Sequence, residues 1–362
     1  MISKLFNMAY TVRALIILFW SGLILGFLYL PHAVRQISKQ QSIDVFTWVN
    51  MLDEQSVLEF EAQTGIKVNL SYYDNNEELL MKLRISKGCG YDMLIATDYG
   101  IKDLIKFDLV QPIDRSKLNF WSDLEPMILD KSYDLGNKYT IPYFWDIYGI
   151  GLNLESFGGV LPAASWKLAF EPPISNPKIA MVDDCLEASL IAAQYLFGDS
   201  VNLTSEQLLR VKHLLIKQKP LCEAYTDLRG DYFLVSGTSS VVVSQRAYIY
   251  KAMQEDSRVR FVIPQEGSFV IIDNFLLTKS CVKSDLVYQF INFIYQKKIV
   301  ERSIDSLQNL SMRKDVLQEM NLDYLGGYEK LMDPELFHKM AFFETTATKA
   351  QLSSLWMEVK AS

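Results

Sequence analysis

The stretch that decides the fold is residues 44–153, which opens with the apolar, β-prone run DVFTW at 44–48. A helix-like segment over 54–64 follows, and the turn at Gly65 leads into a second β-prone run. MLIA at 93–96 is a short apolar run of the length that suits a buried strand. Strands that alternate with helices in this way predict an α/β fold around a mainly parallel sheet.

Helix boundary signals support the same alternation. The segment 54–64 carries an apolar face, and Gly65 after it is a typical stop signal. Residues 77–87 repeat the pattern and break at the GCG run of 88–90. The first half of the chain therefore contains at least two strand–helix units.

The second half continues the pattern. Helices are predicted over 186–197 and over 205–217, the second capped by Ser205 or Thr204. Strands are predicted over 178–182, 240–243, 259–263 and 269–277, and further helices over 101–107 and 285–296.

Bulk composition excludes several classes of protein. A chain of 362 residues is long enough for two domains, and 49% hydrophobic with 22% charged residues describes an ordinary globular protein. The formal net charge of −7 argues against a nucleic-acid binder, which needs a basic face. We therefore predict no nucleic-acid partner.

No pattern in the chain predicts a metal site, a cofactor or a catalytic centre. Phosphate-binding glycine loops, nucleophile elbows and zinc-ligand spacings are missing from the sequence, so we predict that the protein is not an enzyme. The cysteines lack a CxxC pair and are interpreted as free or buried thiols, or as one disulfide if the chain is exported. The cysteines are isolated from one another, and so are the histidines; these residues are Cys89, Cys185, Cys222, Cys281, His32, His213 and His338.

The amino terminus carries a hydrophobic segment. Residues 14–30 are apolar except for one serine and two glycines, and as a helix they would nearly span a hydrocarbon core of about 30 Å. Three interpretations remain: an uncleaved membrane anchor, which we favour because the run is long for a signal peptide, a cleaved secretory signal, or a buried core helix. The first two place the rest of the chain outside the cytoplasm, after a linker that ends near residue 41.

In order and spacing, the pieces described above, together with IPYFW at 141–145 and GIGLN at 149–153, resemble the first lobe of the periplasmic solute-binding proteins. Within that group the chain is most similar to the spermidine- and putrescine-binding proteins of polyamine ABC transporters. The resemblance runs from about residue 43 to 362 and weakens after residue 153.

The resemblance implies a fold. It is an α/β, two-lobed periplasmic-binding-protein fold of type II-like topology with hinge strands, preceded here by the amino-terminal hydrophobic helix. The expected division is 1–41 for the signal or anchor helix and linker, 42–145 plus 272–316 for lobe 1, and 146–271 plus 317–362 for lobe 2.

The resemblance also implies a function. The chain would be the extracytoplasmic substrate-binding component of an ABC transporter, a monomer that captures spermidine or putrescine in an interlobe cleft and docks on permease subunits. It would reside in the periplasmic space, held to the inner membrane if residues 14–30 are retained. The alternative is a membrane-anchored binding protein or sensor for another small organic cation, without a role in transport.

A polyamine site needs carboxylates for the ammonium groups and aromatic faces for the methylene stem. By resemblance, the acids are Asp184 and Glu187, which form a D-x-x-E pattern, and Asp273, which lies inside an apolar run. The D-x-x-E pattern is also typical of a helix cap, so capping alone is the alternative for that pair. For Asp273 the alternative is an acid paired within the protein.

Other positions match the family or depart from it. Trp48, Thr97 and Tyr99 match cleft positions, although core packing is the alternative for aromatic residues. Asn50 stands where the family has a glutamate, and Gln245 and Ile271 stand where it has two tryptophans. Tyr143 and Trp145 are assigned to hinge packing. The candidates to compensate for the lost aromatic faces are Tyr72, Tyr73 and Tyr232. The predicted ligand-contacting set is Trp48, Asn50, Thr97, Tyr99, Asp184, Glu187, Gln245 and Asp273.

Overall fold

Strands and helices alternate along the chain, as the sequence predicts. The structure is a computed structural model that describes residues 18–24, 41–226, 229–319 and 339–362. The strands of the described residues are β1 (Ser42–Thr47), β2 (Lys67–Tyr72), β3 (Met93–Thr97), β4 (Val110–Gln111), β5 (Ile141–Asn153), β6 (Ile179–Met181), β7 (Cys222–Tyr225), β8 (Val241–Gln245), β9 (Val259–Val262), β10 (Ser268–Thr278), β11 (Leu310–Ser311) and β12 (Met340–Ala341).

The helices fill the connections between these strands. Those with labels are α1 (Glu54–Thr64), α2 (Asn76–Ser86), α3 (Asp98–Lys106), α4 (Lys167–Phe170), α5 (Cys185–Phe197), α6 (Ser205–Gln218), α7 (Gly230–Val235), α8 (Arg246–Glu255), α9 (Ser284–Ile294), α10 (Lys297–Leu307), α11 (Lys314–Glu319) and α12 (Lys349–Ala361).

The main sheet has the strand order β2-β1-β3-β10-β5-β8-β6-β7. β1 is parallel to β2 and β3, and β6 is parallel to β7 and β8. Between these two parallel groups lie β5 and β10, which are antiparallel to each other; β10 is also antiparallel to β3, and β5 to β8. The sheet is therefore mixed, with its antiparallel pairs concentrated in the middle.

Local signals set several helix ends where the sequence predicts them. Asp53 caps α1 by accepting a hydrogen bond from the Ser56 backbone N–H, and Gly65 ends the helix with φ 71°. Residues other than glycine rarely adopt that backbone conformation, which explains why the helix ends at this glycine. Thr204 caps α6 in a capping box with Gln207, which confirms one of the two predicted caps.

The buried apolar residues in the described part of the chain form two large clusters and a smaller third one. The first cluster draws on residues 43–147 and 270–317, and the second on residues 148–271 and 343–359. β5 and β10 pass from one large cluster into the other, and every residue of both strands is buried. The lobe division that the resemblance implies changes lobe at residues 145/146 and 271/272, within these two strands, and it remains a prediction.

A buried ion pair lies where β5 passes between the clusters. The Arg246 Nε lies 3.2 Å from the Asp146 Oδ1, and both side chains are almost completely buried. Asp146 also accepts hydrogen bonds from the backbone N–H groups of Ile147 and Ala247. Arg246 in turn donates to the Gln308 carbonyl, so it connects the start of α8 to the chain that follows α10.

The structure describes only part of the predicted amino-terminal hydrophobic segment. Of the segment 14–30, the structure describes residues 18–24, which are helical and expose their apolar side chains, and the remainder lies outside the described residues. Within the ranges given above, we find no helix long and apolar enough to cross a membrane.

All four cysteines are free thiols in this structure. The predicted hinge residue Trp145 is buried and donates its indole N–H to the Ser311 carbonyl.

Candidate functional site

A cavity of about 330 Å³ lies at the border of the two large clusters. Its walls come from the carboxyl ends of β1, β3, β6, β7 and β8 and from the crossing strand β10. In open α/β sheets, ligands bind in crevices at the carboxyl ends of the strands. Its lining residues are Trp48, Val49, Met51, Asp74, Asn75, Thr97, Tyr99, Tyr148, Asp183, Asp184, Glu187, Thr226, Arg229, Gln245, Tyr248, Ile271 and Asp273.

One wall of the cavity is built around Asp273. This residue pairs with Thr97 across β10 and β3, and the Thr97 hydroxyl donates to Asp273 Oδ1 at 2.8 Å. Thr97 occupies the N-cap position of α3, yet its side chain makes no capping hydrogen bond and serves the carboxylate instead. Trp48 lies on the same wall, half-buried against the Tyr73 ring at 4.6 Å.

Burial changes the acidity of Asp273. The side chain is 9% exposed, and this desolvation raises its pKa to about 6, against the lowering effect of the Thr97 hydrogen bond. Repulsion from Asp146 on the neighbouring strand adds to the rise. A cation placed in the cavity would favour the ionised form, because an opposite charge nearby stabilises a carboxylate.

The opposite wall presents the acids of the D-x-x-E pattern. Asp184 Oδ1 accepts hydrogen bonds from the backbone N–H groups of Leu186 and Glu187, so Asp184 caps α5. Asp184 thus caps the helix and also lines the cavity, and its contact with a ligand remains a prediction. Glu187 is buried, and it accepts a hydrogen bond from the Tyr99 hydroxyl at 3.4 Å. Tyr99 follows β3 and Glu187 belongs to α5, so this contact crosses the cavity from one wall to the other.

The cavity is strongly acidic. Its described lining residues supply five carboxylates, from Asp74, Asp183, Asp184, Glu187 and Asp273, and one cation, Arg229. Asp183 is already paired, because the Lys360 ammonium lies 2.5 Å from its Oδ1. An excess of carboxylates on low-dielectric walls concentrates cations from solution.

Aromatic rings border the cavity as well. Besides Trp48 and Tyr99, the lining includes Tyr148 and Tyr248. The Tyr148 hydroxyl accepts a hydrogen bond from the Gln245 amide at 3.3 Å. These rings offer apolar faces next to the carboxylates, which is the combination that an alkyl ammonium ligand requires.

Seven of the eight predicted site residues line this cavity, and Asn50 does not. Asn50 lies in the turn after β1 with φ 61°, and its side chain is exposed. The ligand contacts of all eight residues remain predictions, since the cavity shows only which side chains share a surface.

Sequence reasoning missed Tyr148, Tyr248, Arg229 and Asp74. Tyr248 lies three residues after Gln245, about one helical turn away, so helical spacing from Gln245 could have found it. The candidates named to compensate for the lost aromatic faces, Tyr72, Tyr73 and Tyr232, do not line the cavity. No local pattern sets Arg229 or Tyr148 apart.

A second cavity of about 440 Å³ shares Tyr99 and Asp184 with the first. It contains the buried carboxyl of Asp98, whose pKa burial raises well above its usual range. Glu344 also borders it and is bound to Lys102 at 3.0 Å, so part of its charge is already compensated. Tyr99 and Asp184 therefore border two neighbouring acidic cavities.

Comparisons with known proteins give a consistent result. A model of the bacterial extracellular solute-binding proteins matches residues 90–321. The chain is 28% identical over 280 residues to the putrescine/agmatine-binding protein of Pseudomonas aeruginosa, with 73% of this chain and 76% of that protein covered. It is 26% identical over 302 residues to the putrescine-binding periplasmic protein PotF of Escherichia coli, with 79% and 81% covered.

The fold is also similar to solved structures. The crystal structure of the spermidine/putrescine ABC transporter substrate-binding protein PotD from Streptococcus pneumoniae superimposes with a TM-score of 0.76. That match covers 89% of this chain and 99% of the other, at 23% sequence identity. At this identity, the likeness speaks for the fold.

Proposed function

The chain belongs to the bacterial extracellular solute-binding proteins and has their α/β periplasmic-binding-protein fold, and on this premise we propose that it captures a polyamine in the cavity between its two large apolar clusters. The ligand is putrescine, spermidine or a close relative, bound reversibly and without a catalytic step. The names of the similar proteins from Pseudomonas aeruginosa and Escherichia coli support this ligand class.

The observation that carries the proposal is the meeting of carboxylates and aromatic rings in one cavity. Asp273 and Glu187 are buried on facing walls, and Trp48, Tyr99 and Tyr148 lie between or beside them. Ammonium–carboxylate hydrogen bonds are charge-assisted, and each aromatic face adds roughly 0.5–2 kcal/mol of cation–π attraction. The methylene stem of a polyamine packs on the rings while its ends meet the acids.

Ligand capture involves closure of two lobes around the cavity. The proposed lobes are 42–145 plus 272–316 and 146–271 plus 317–362, with β5 and β10 as the hinge strands. Because few chain segments cross between the clusters, hinge closure requires only local changes in backbone dihedral angles. The closed, monomeric protein then docks on ABC permease subunits at the outer face of the cytoplasmic membrane, and residues 14–30 hold it there if they are retained.

Calorimetric titration of the purified protein with putrescine, spermidine and spermine tests the proposal. We expect micromolar or tighter binding of at least one of the three, and a large loss of affinity in Asp273→Asn and Glu187→Gln. Asp285→Asn is the matched control, because Asp285 is 85% exposed and lies outside the cavity. If none of the three polyamines binds, the ligand assignment is wrong, although the family and the fold stand.

A further inference from the structure

Among the described residues that line the acidic cavity, Arg229 is the one cation. It takes the N-cap position of α7, in the connection that leaves the carboxyl end of β7. Its neighbour Gly230 packs directly on β8, where a Cβ on the glycine would lie 2.9 Å from the Ser244 Oγ. This close approach holds the backbone of Arg229 beside the end of β8, where Gln245 lines the same cavity.

The guanidinium of Arg229 contacts an aromatic ring and forms no ion pair with any residue that the structure describes. It lies over the Tyr232 ring, 4.8 Å from the ring centroid. Among the described ranges of the chain, no carboxylate lies within 4.0 Å of it, which contrasts with Lys360, paired with Asp183 at 2.5 Å. Arg229 is exposed, so solvent screens its charge.

A simple diamine leaves this guanidinium without a partner and is repelled by it. A carboxylate, in contrast, matches the planar fork of arginine with two parallel hydrogen bonds. The cavity lining also includes polar, non-acidic groups, from Gln245, Thr226 and Tyr248, which suit an acceptor group. Arg229 itself differs in charge from the acidic wall at Asp273.

We propose that Arg229 determines specificity by binding a carboxylate of the ligand, so that the cavity accepts diamines that carry a carboxylate, namely basic α-amino acids. This inference rests on the proposed function, since it assigns the two ammonium groups to the same acidic walls. It adds a third contact, between Arg229 and the carboxylate. The cavity of about 330 Å³ falls within the size range of small-molecule sites.

Ornithine and putrescine provide a matched pair of probes, because they differ only by the carboxylate. The experiment is calorimetric titration of the full-length protein, in mild detergent, with both ligands at pH 7.5. Lysine and cadaverine serve as a second pair of the same kind. The variants are Arg229→Gln, Arg229→Lys and the control Arg210→Gln, since Arg210 also lies 4.8 Å from an aromatic ring, that of Phe197, but does not line the cavity.

We expect ornithine to bind the wild-type protein and to lose about tenfold or more in affinity in Arg229→Gln, because a hydrogen-bonded charge contact is removed. Putrescine should bind Arg229→Gln as well as or better than the wild type, since a repelling charge is gone. Arg229→Lys should fall between the two for ornithine, and Arg210→Gln should change neither ligand.

Three results would overturn the inference. Arg229→Gln that changes both ligands by the same factor excludes a contact with the carboxylate. Ornithine that fails to bind while putrescine binds refutes the inference and leaves the proposed function intact. If no amine of either kind binds, the proposed function fails and the inference fails with it.

Discussion

The two crossing strands each carry a buried carboxylate, and the two carboxylates differ in the protein groups that contact them. Asp146 on β5 is paired with Arg246 and accepts two backbone hydrogen bonds. Asp273 on β10 has, within the described part of the chain, a single hydrogen-bond donor, the Thr97 hydroxyl, and it faces the cavity. Burial raises the pKa of both acids, but only Asp146 has a cation beside it to oppose the rise.

The difference separates a carboxylate that protein groups compensate from one that, in the proposed function, meets an ammonium group of the ligand. A buried charge is tolerated when protein partners compensate it, and it is costly when they do not. Asp146 connects the start of α8 to the crossing strand, whereas Asp273 forms no ion pair with any residue that the structure describes. The protein accepts a less stable ligand-free state at Asp273, and a bound ammonium would offset that loss.

Breaking the satisfied pair should have the largest effect. Arg246→Met leaves Asp146 buried without a cation, and we expect the free energy of unfolding to fall by about 3–5 kcal/mol. Urea unfolding of the ligand-free protein measures the change. The double variant Asp146→Asn with Arg246→Met should recover a large part of the loss, because no buried charge remains.

The exposed Arg258 provides the control for that experiment. It pairs with Asp256 at 2.7 Å on the surface, so Arg258→Met should cost less than about 1 kcal/mol. If Arg246→Met is no more destabilising than Arg258→Met, the buried pair does not hold the crossing strands, and the contrast with Asp273 disappears.

Removing the unsatisfied charge should have the opposite sign. Asp273→Asn is expected to stabilise the ligand-free protein at pH 7.5 by up to about 3 kcal/mol, because the pKa of Asp273 is raised from 3.8 to about 6 on folding. The folded protein then holds this proton more tightly than the unfolded chain. The wild type therefore loses stability as pH rises from about 4 through 6, and the variant does not share this loss.

Unfolding curves at pH 4 and pH 7.5 measure that difference. The advantage of Asp273→Asn should be present at pH 7.5 and vanish near pH 4, while Asp285→Asn, at an exposed position, should show no such trend. An advantage that is equal at the two pH values would mean that the ionisation of Asp273 carries no penalty.

Asp184 is an intermediate case, since it caps a helix and lines the cavity. Asparagine caps a helix about as well as aspartate, so Asp184→Asn should keep the stability of the protein, whereas Asp184→Ala should lose about 1 kcal/mol. Both variants lose the charge, so both should bind polyamine more weakly. Unfolding and titration of the two variants separate the two roles, and an Asp184→Asn protein with wild-type affinity would leave capping as its only role.

Much of the fold could be predicted from the sequence, because the signals are local. Gly65 ends α1, Thr204 caps α6 and the run at 93–97 forms a buried strand, each within about a residue of its prediction. The acids of the candidate site were found by resemblance, and Asp273 was also conspicuous as a charge within an apolar strand. Asn50 was assigned by its position after Trp48; it lies in an exposed turn outside the cavity, and its ligand contact remains a prediction.

By itself, the sequence determined the order of strands and helices, the helix caps and the family, because periodicity and capping depend on neighbours within a few residues. Only the tertiary structure decided which side chains meet. Thr97 reaches Asp273 across 176 positions of sequence, and Arg246 reaches Asp146 across 100. Such pairings follow from the register of strands in the sheet, which is set by the packing of the whole core. For the same reason no local pattern could reveal that Arg229 faces the acidic cavity.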